Sequence, residues 1–217
     1  MKKIISISMA SLMLVLTLCS CSCSVSVGDK TFSTDKDGKE TTESAAESIE
    51  ETSSASGQDA LFTWKIKLDG VDYTLPFDVS ELIANGYEID PDKDENLNSR
   101  TYTIGAPNPK KDGKSLSVQY WNPTSEAKKY SECKIGQISV EVQSEHEIIL
   151  PGNFKFDSST TVQSILDMYG EPERLNEQEK YTTITYKQDI YSTVEFFIYT
   201  QDEKMMKYNS VTLKNLV

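Results

Sequence analysis

An Asp-Gly pair between two short alternating runs is the feature that most constrains how this chain can fold. Apolar and polar residues alternate in KIKL (65–68) and in VDYTL (71–75), and Asp69-Gly70 lies between the two runs. Two-residue Asp-Gly connections form type I′ turns, whose backbone twist matches that of paired antiparallel strands. The pattern therefore predicts a β-hairpin that ends at Pro76, which has no N–H to donate to a ladder.

Alternation of apolar and polar residues recurs along the rest of the chain and predicts further antiparallel strands. The runs lie at residues 101–105, 115–121, 135–142, 148–150, 181–187, 193–200 and 207–213. Asp112-Gly113 falls between the first two runs. We therefore interpret the three lysines around this pair as the solvent-exposed tip of a hairpin and not as a basic patch.

Two short helices are predicted, each by a capping pattern at its start and a glycine at its end. Asp78 and Glu81 have the spacing of a capping box, and Gly86 follows as the expected end of the first helix. Thr160 and Gln163 form the corresponding box of the second helix. Apolar residues fall on one face of that helix, at Val162, Ile165, Leu166 and Tyr169.

The stretches that contain the two helices resemble each other, which predicts an internal duplication. In both TLPFDVSELIANG and ILPGNFKFDSSTTVQSILDMYG, Leu-Pro is followed by Phe-Asp, a capped helix and a glycine. Strands follow each helix. We therefore predict an α+β fold of two related halves, residues 61–150 and 151–217, each with a short helix packed on antiparallel strands.

Residues 159–213 contain a helix with Val162 and Leu166 that is stopped by Gly170 and Pro172 and followed by three strands. This arrangement is similar to the helix-and-meander modules of small bacterial envelope lipoproteins, such as the SmpA/OmlA (BamE-like) group and the β-lactamase-inhibitor-protein-like repeats. The resemblance implies a non-enzymatic envelope protein that acts through protein contacts. The long segment before the first half departs from the family, so the resemblance does not identify the partner.

The first residues of the chain resemble a bacterial lipoprotein signal. Lys2 and Lys3 precede an apolar run at residues 4–18, which has the length of a signal-peptide core and is short for a membrane span. The run ends in LCSC (18–21). This motif resembles the lipobox, in which an aliphatic residue, a tolerant position and a small residue precede the cysteine that receives the lipid.

Of the three neighbouring cysteines, Cys21 fits the motif best. Acylation at Cys19 would place bulky Leu18 before the cleavage site, and acylation at Cys23 would place Ser20 where an aliphatic residue belongs. The resemblance implies that residues 1–20 are removed and that an acylated Cys21 anchors the chain in the bilayer, on the extracytoplasmic face of the cell membrane. The alternative interpretation is an uncleaved membrane helix.

The segment after the motif is predicted to be a disordered tether. Residues 24–58 are rich in Ser, Thr, Glu and Asp, and they contain too few apolar side chains to offset the entropy of ordering. The predicted organisation is therefore a signal peptide at 1–20, a lipid-anchored tether at 21–60, and the two halves.

The charge of the chain limits its partners. The sequence has 34 acidic and 22 basic side chains, a net charge of −12, and only Arg100 and Arg174 among the basic residues are arginines. Such acidity disfavours binding to nucleic acid. The scarcity of arginine leaves few groups suited to clamping phosphate or carboxylate.

No arrangement of residues indicates catalysis or a cofactor. His146 is the only histidine, so a metal cluster or a Ser-His-Asp site would depend on this residue alone. Cys133 is the only cysteine of the predicted folded region, and we interpret it as a small buried hydrophobe rather than as a nucleophile paired with His146. The chain is therefore predicted not to be an enzyme.

Two sets of residues remain as candidates for binding. Three aspartates have the alternate spacing of a calcium loop, Asp90, Asp92 and Asp94. Glu95 occupies the position that requires glycine, however, which favours a solvated acidic loop. The second set is Trp64 and Trp121, which pack in the core or, if they face outward, stack on a sugar or anchor a protein.

These features predict a lipid-anchored protein that works by binding. The leading prediction is a non-catalytic protein-interaction module at the cell envelope. The alternative is a lipoprotein that binds carbohydrate or a cell-wall polymer.

Acylation of Cys21 is the first testable prediction. Radiolabelled palmitate should enter the wild-type chain and the matched control Cys23→Ala, but not Cys21→Ala. The Cys21→Ala chain should also leave the membrane fraction, because stable anchoring needs the buried acyl chains. A Cys21→Ala chain that still sediments with membranes would contradict the prediction.

Overall fold

The computed structural model of the protein describes residues 57–103 and 106–217. The predicted signal peptide, Cys21 and the predicted tether up to residue 56 lie outside the described residues. The first described element is a helix, α1 (Gln58–Leu61), in which Ala60 and Leu61 are buried. Folded structure is therefore already present before position 61.

Within the described residues the chain forms three α-helices and sixteen strands, so the structure is mostly β. The other helices are α2 (Val79–Ala84) and α3 (Val162–Tyr169). The strands, in chain order, are β1 (Lys65–Leu68), β2 (Val71–Thr74), β3 (Phe77–Asp78), β4 (Asn96–Leu97), β5 (Thr101–Tyr102), β6 (Lys110–Lys111), β7 (Lys114–Ser115), β8 (Ser117–Asn122), β9 (Lys128–Lys129), β10 (Lys134–Glu141), β11 (Ile148–Leu150), β12 (Phe154–Phe156), β13 (Arg174–Glu177), β14 (Tyr181–Lys187), β15 (Ser192–Tyr199) and β16 (Ser210–Asn215). This content is compatible with the predicted α+β class, although strands dominate it.

Both Asp-Gly hairpins are confirmed. Asp69 and Gly70 have φ angles of +48° and +83°, and Asp112 and Gly113 have φ angles of +52° and +78°. A type I′ turn requires positive φ at both central residues. The first turn joins β1 to β2 and the second joins β6 to β7, each as an antiparallel pair.

Eight strands form a large antiparallel sheet that contains strands from both predicted halves. Seven follow the order β13-β14-β15-β16-β10-β8-β5, and β3 pairs with the beginning of β10. The halves meet where β10 pairs with β16, with Ile138 opposite Leu213 and Val140 opposite Val211.

A smaller sheet and helix α3 cover one side of the large sheet. The small sheet has the order β12-β11-β1-β2, so it also joins strands from both halves. Phe156 of β12 and Tyr169 of α3 each have a ring centroid 6.1 Å from that of Phe196 on β15. The hydrophobic core therefore lies between the two sheets, with α3 against it.

The predicted helices exist, but the cap of the second one was assigned to the wrong residue. Helix α2 follows Asp78, whose backbone N–H donates to Glu81 Oε1 at 3.1 Å as predicted. Helix α3 is capped by Thr161, whose hydroxyl accepts from the N–H of Ser164 at 3.1 Å. The Thr160 hydroxyl instead accepts from Asp157 N–H. Of the four residues on the predicted apolar face, Ile165 and Tyr169 are fully buried, and Val162 and Leu166 are half-buried.

Most predicted strands are present, with boundaries that move by a few residues. The last predicted strand, 207–213, is in fact β16 at Ser210–Asn215, preceded by a short 3-10 helix at Met206–Tyr208. Strand β13 was not predicted. All four of its residues are exposed, so it lacks the alternation of buried apolar residues that marks the other strands.

Gly136 marks an irregularity near the start of β10. The register of the β10–β8 pair shifts between Ile135 and Gln137. A Cβ atom added at Gly136 would collide with the Leu216 side chain and lie 3.1 Å from Trp121 Cβ. The glycine therefore leaves the space that the Leu216 side chain fills.

Gly136→Ala should lower the free energy of unfolding by about 1–3 kcal/mol, because the added methyl group overpacks a filled site. Urea unfolding measures the effect. In a Leu216→Ala background the same substitution should cost less, since the truncated side chain leaves room for the methyl group. Equal costs in the two backgrounds would show that Leu216 does not set the requirement for glycine.

Candidate functional site

One side of the large sheet faces solvent. Along β14, β15 and β16 fully buried side chains, such as Ile184, Phe196 and Leu213, alternate with side chains that are half-buried or exposed. We call the second set the open face. It consists of alternate residues at 181–187 on β14, 193–199 on β15 and 210–214 on β16, with their neighbours at 117–121 on β8, 137–141 on β10 and Tyr102 on β5.

Four aromatic residues form a cluster at one end of the open face. We call them the aromatic cluster: Tyr181, Phe197, Tyr199 and Tyr208. The rings of Tyr181 and Phe197 are stacked, with centroids 4.7 Å apart, and Tyr199 meets Phe197 edge to face at 5.2 Å. Stacking covers one face of each of these two rings. Tyr181 and Phe197 are nevertheless only half-buried, so part of each side chain remains accessible to solvent.

A row of apolar side chains crosses the opposite end of the open face. We call it the Trp121 row: Tyr102, Trp121, Leu216 and Tyr191. Tyr102 pairs with Trp121 across β5 and β8. Leu216 packs over Gly136 beside Trp121, and its N–H donates to the Tyr191 carbonyl at 3.2 Å. Tyr102 is 45% exposed and Tyr191 is 49% exposed, so the row ends in accessible rings on both sides.

The centre of the open face is polar. The hydroxyls of Ser139 and Thr212 lie 2.9 Å apart across β10 and β16, and Thr185 Oγ1 donates to Glu195 Oε2 at 3.4 Å. Lys214 stands between this centre and the Trp121 row, with Nζ 5.5 Å from the Tyr102 ring centroid. The open face thus combines a hydrogen-bonding centre with two apolar ends.

Only one of the two tryptophan candidates lies on the surface. Trp64 is 6% exposed and packs its ring 5.7 Å from that of Phe62. Of the two alternatives stated for Trp64, the structure shows core packing and not an outward-facing sugar or protein anchor. Trp64 adopts a positive φ of 60° directly before β1, which no local sequence pattern indicates. Trp121 is half-buried at the centre of the Trp121 row.

The three aspartates at 90–94 do not converge on a common point. Asp90 accepts from Asp92 N–H at 3.1 Å and pairs with Lys93. Asp94 accepts two hydrogen bonds from Ser131, at 3.0 and 2.8 Å. No group of three metal-ligating side chains occurs in residues 57–103 and 106–217. The acidic loop therefore lacks the calcium-loop arrangement that its spacing suggested.

Cys133 behaves as the buried hydrophobe that we predicted. It is 3% exposed, and burial raises the pKa of its thiol to about 11. Its Sγ lies 3.9 Å from the Lys128 carbonyl. A thiol that stays protonated at neutral pH is a poor nucleophile.

His146 belongs to a buried network that sequence analysis missed. Its Nδ1 lies 2.9 Å from Asp69 Oδ2, which also accepts from the Tyr87 hydroxyl at 2.7 Å. The other carboxylate oxygen of Asp69 accepts from Glu147 N–H at 2.9 Å. His146 Nε2 is buried without a partner in the described residues. The turn residue Asp69 thus joins the first hairpin to a segment more than seventy residues away.

The network lowers the pKa of Asp69. Partial burial alone would raise this pKa, but the hydrogen bonds from Tyr87, His146 and Glu147 outweigh it and favour the ionised carboxylate. Burial together with the Asp69 contact raises the pKa of Tyr87 above its usual range. The three side chains therefore act as a structural tie at neutral pH.

A groove of about 710 Å³ lies on the outer side of the small sheet. Its charged lining residues are Lys65, Lys67, Asp72, Glu81 and Lys134. Lys67 pairs with Asp72 at 3.7 Å, and Lys134 pairs with Asp78 at 3.0 Å. The groove is open, and most of its charges are already engaged.

Comparison with known proteins gives no relative for the chain: no family model, curated protein or solved structure matches it. Among the described residues, none of the helices has both the length and the apolar character required to cross a bilayer. Functional inference therefore depends on the residues and surfaces themselves.

Asp69→Asn should lower the free energy of unfolding at pH 7 by about 1–3 kcal/mol, because it weakens hydrogen bonds to a charged group. Asparagine tolerates the positive φ of this turn, so the hairpin itself should persist. The pKa of Asp69 is depressed in the folded protein. The contribution of ionised Asp69 to the free energy of unfolding is therefore present above the unfolded-state pKa of about 4. It is lost as the pH falls through the lower folded-state pKa.

Urea unfolding at pH 7 and pH 3 tests this prediction. The difference between wild type and Asp69→Asn should shrink at pH 3. The matched control is Asp72→Asn on the same hairpin, whose carboxylate is 83% exposed and should contribute little. A difference between wild type and Asp69→Asn that is the same at both pH values would exclude this role of the carboxylate.

Proposed function

We propose that the protein is a lipid-anchored lipoprotein on the extracytoplasmic face of the cell membrane, and that it works as a non-catalytic protein-interaction module. The observation that carries the interaction part is the open face. It is a broad surface with accessible aromatic residues at both ends and a polar centre. Protein interfaces are enriched in tyrosine and tryptophan, which supply large apolar area and a hydrogen-bonding tip.

The orientation of the aromatic rings favours a protein over a sugar as the ligand of the open face. A sugar ring stacks on the face of an aromatic ring, as bases do on aromatic platforms. Stacking between Tyr181 and Phe197 covers one face of each ring, which is a face that a sugar would need. The rest of the aromatic surface and the Tyr181 hydroxyl suit the packed anchor of a protein interface.

The anchoring part of the proposal is supported by the sequence of residues 1–21. The proposed lipid holds the domain near the bilayer, where envelope proteins are the available partners. The net charge of −12 is consistent with a partner other than nucleic acid.

We also propose that residues 61–150 and 151–217 are related halves. In the first half, helix α2 follows β3, a strand that consists of Phe-Asp. In the second half, helix α3 follows β12, a strand that consists of Phe-Lys-Phe. Strands of the two halves pair with each other in both sheets. The two copies of such a duplication would therefore depend on each other for their structure.

A second candidate, binding of carbohydrate or a cell-wall polymer, is favoured by one observation. The groove on the small sheet has a volume within the range of small-ligand sites. Three of its five charged lining residues, Lys67, Asp72 and Lys134, are already in ion pairs, which leaves the open face as the stronger candidate surface.

Site-specific cross-linking on intact cells tests the proposed function. A photoreactive phenylalanine analogue replaces Tyr191 or Tyr199 on the open face, and it replaces Ile83 as the matched control. Ile83 is 44% exposed on α2 and is not part of the open face. Irradiation should give discrete adducts from positions 191 and 199 that a protease degrades, and no such adducts from position 83.

The double variant Phe197→Ser and Tyr199→Ser should reduce the yield from position 191 by about tenfold or more, because a few aromatic anchors carry most of the energy of an interface. Circular dichroism checks that the variant is folded. Adducts that resist protease and yield to a wall-degrading hydrolase would support the second candidate instead. Equal adducts from all three positions would contradict a role for the open face.

A further inference from the structure

Strand β13 is the outermost strand of the large sheet at one side. The order of the sheet places β14 on one side of it, and no other strand of the described residues pairs with it on the other. All four residues from Arg174 to Glu177 are exposed, as are the residues that follow to Lys180. The edge is therefore accessible along its whole length.

The register shows which backbone groups of β13 point away from the sheet. Gln178 N–H donates to the Tyr181 carbonyl at 2.9 Å across the turn. In an antiparallel ladder, hydrogen-bonded and non-hydrogen-bonded pairs alternate. Asn176 and Arg174 are thus bonded to β14, whereas the N–H and C=O groups of Leu175 and Glu177 point outward.

Leu175 provides an apolar contact at the same edge. It lies opposite Ile184, which is fully buried, so its side chain is on the core side of the sheet. Leu175 is nevertheless 43% exposed, because no strand continues the sheet beyond it. An added strand would cover this side chain and extend the core.

The charges around the edge favour one kind of strand. Four glutamates surround it, whereas the only basic residues are Arg174 and Lys180; the glutamates are Glu171, Glu173, Glu177 and Glu179. Like charges that face each other across paired strands are unfavourable, and opposite charges are favourable. The edge of a second copy is therefore repelled, and a strand that carries lysine or arginine is attracted.

We infer that β13 is a strand-addition site for an extended, basic segment of a partner protein. The segment donates to and accepts from the outward backbone groups of Leu175 and Glu177, covers Leu175, and places its basic side chains near the glutamates. The inference rests on the proposed function, since it takes the partner to be a protein. The inference specifies the chemistry of the contact with the partner. It also places this contact beside the open face, because Arg174 and Asn176 border that surface.

Peptide binding to the purified protein tests the inference. The probe is a fluorescently labelled peptide of sequence TKVKVKT, and the matched probe is TEVEVET. Fluorescence anisotropy should show binding of the basic peptide, weakening as salt is added, and no binding of the acidic one. Failure of the basic peptide to bind would overturn the inference.

Two substitutions at one position separate backbone pairing from charge. Glu177→Pro removes an outward N–H without breaking a bond to β14, and it should weaken binding of the basic peptide by about tenfold. Glu177→Gln keeps the N–H and removes only the charge, so it should weaken binding by about two- to fourfold. Circular dichroism and urea unfolding check that both variants are folded.

A Glu177→Pro protein that is folded and binds as well as Glu177→Gln would overturn strand addition, because charge alone would then account for the affinity. If the Glu177→Pro protein is unfolded, a photoreactive residue in place of Leu175 tests strand addition instead. It must give adducts with the basic peptide, and the same residue in place of Ile83 must not.

These results are independent of the cross-linking through positions 191 and 199. Protein adducts from the open face together with no binding of TKVKVKT would leave the proposed function in place and remove the strand-addition site. Absence of any protein adduct in cells would instead contradict the proposed function.

Discussion

The structure depends on the fact that the large sheet is covered on one side only. The small sheet and α3 are the elements that pack on it, and together they bury the side of Ile184, Phe196 and Leu213. Antiparallel sheets tolerate this arrangement because every backbone group of an inner strand is paired within the sheet, so the second side needs no cover. The one-sided cover leaves the open face accessible. The large sheet also ends at β13, whose outer edge is accessible as well.

Local features of the sequence were predictable, and contacts between distant segments were not. The Asp-Gly turns were identified correctly because their conformation is set by two residues with positive φ. The same residue, Asp69, also accepts hydrogen bonds from Tyr87 and His146, and no local pattern signals a partner 77 residues away. The choice between a buried and an outward-facing Trp64 stayed open for a related reason, since a positive φ at a tryptophan depends on its tertiary contacts.

The candidate surfaces show the same division. Alternation predicted β14, β15 and β16 and therefore which residues share a face, but not that this face stays uncovered. Strand β13 was not predicted, because all of its residues are exposed and show no alternation of buried and exposed positions. Pairing with β14 alone makes it a strand. The alternate spacing of three aspartates, Asp90, Asp92 and Asp94, suggested a calcium loop. Asp90 instead pairs with Lys93, and Asp94 accepts a hydrogen bond from Ser131.

The positions of the two aromatic ends determine the size of a ligand that could contact both. The aromatic cluster lies beside the beginning of β16, at Ser210, and the Trp121 row lies beside its end, at Leu216. Six steps along an extended strand amount to roughly 20 Å. A monosaccharide or a free amino acid is too short to bridge that separation, whereas a folded domain or a long stretch of polymer reaches both ends at once. Simultaneous contact with both aromatic ends would therefore require a partner at least that long.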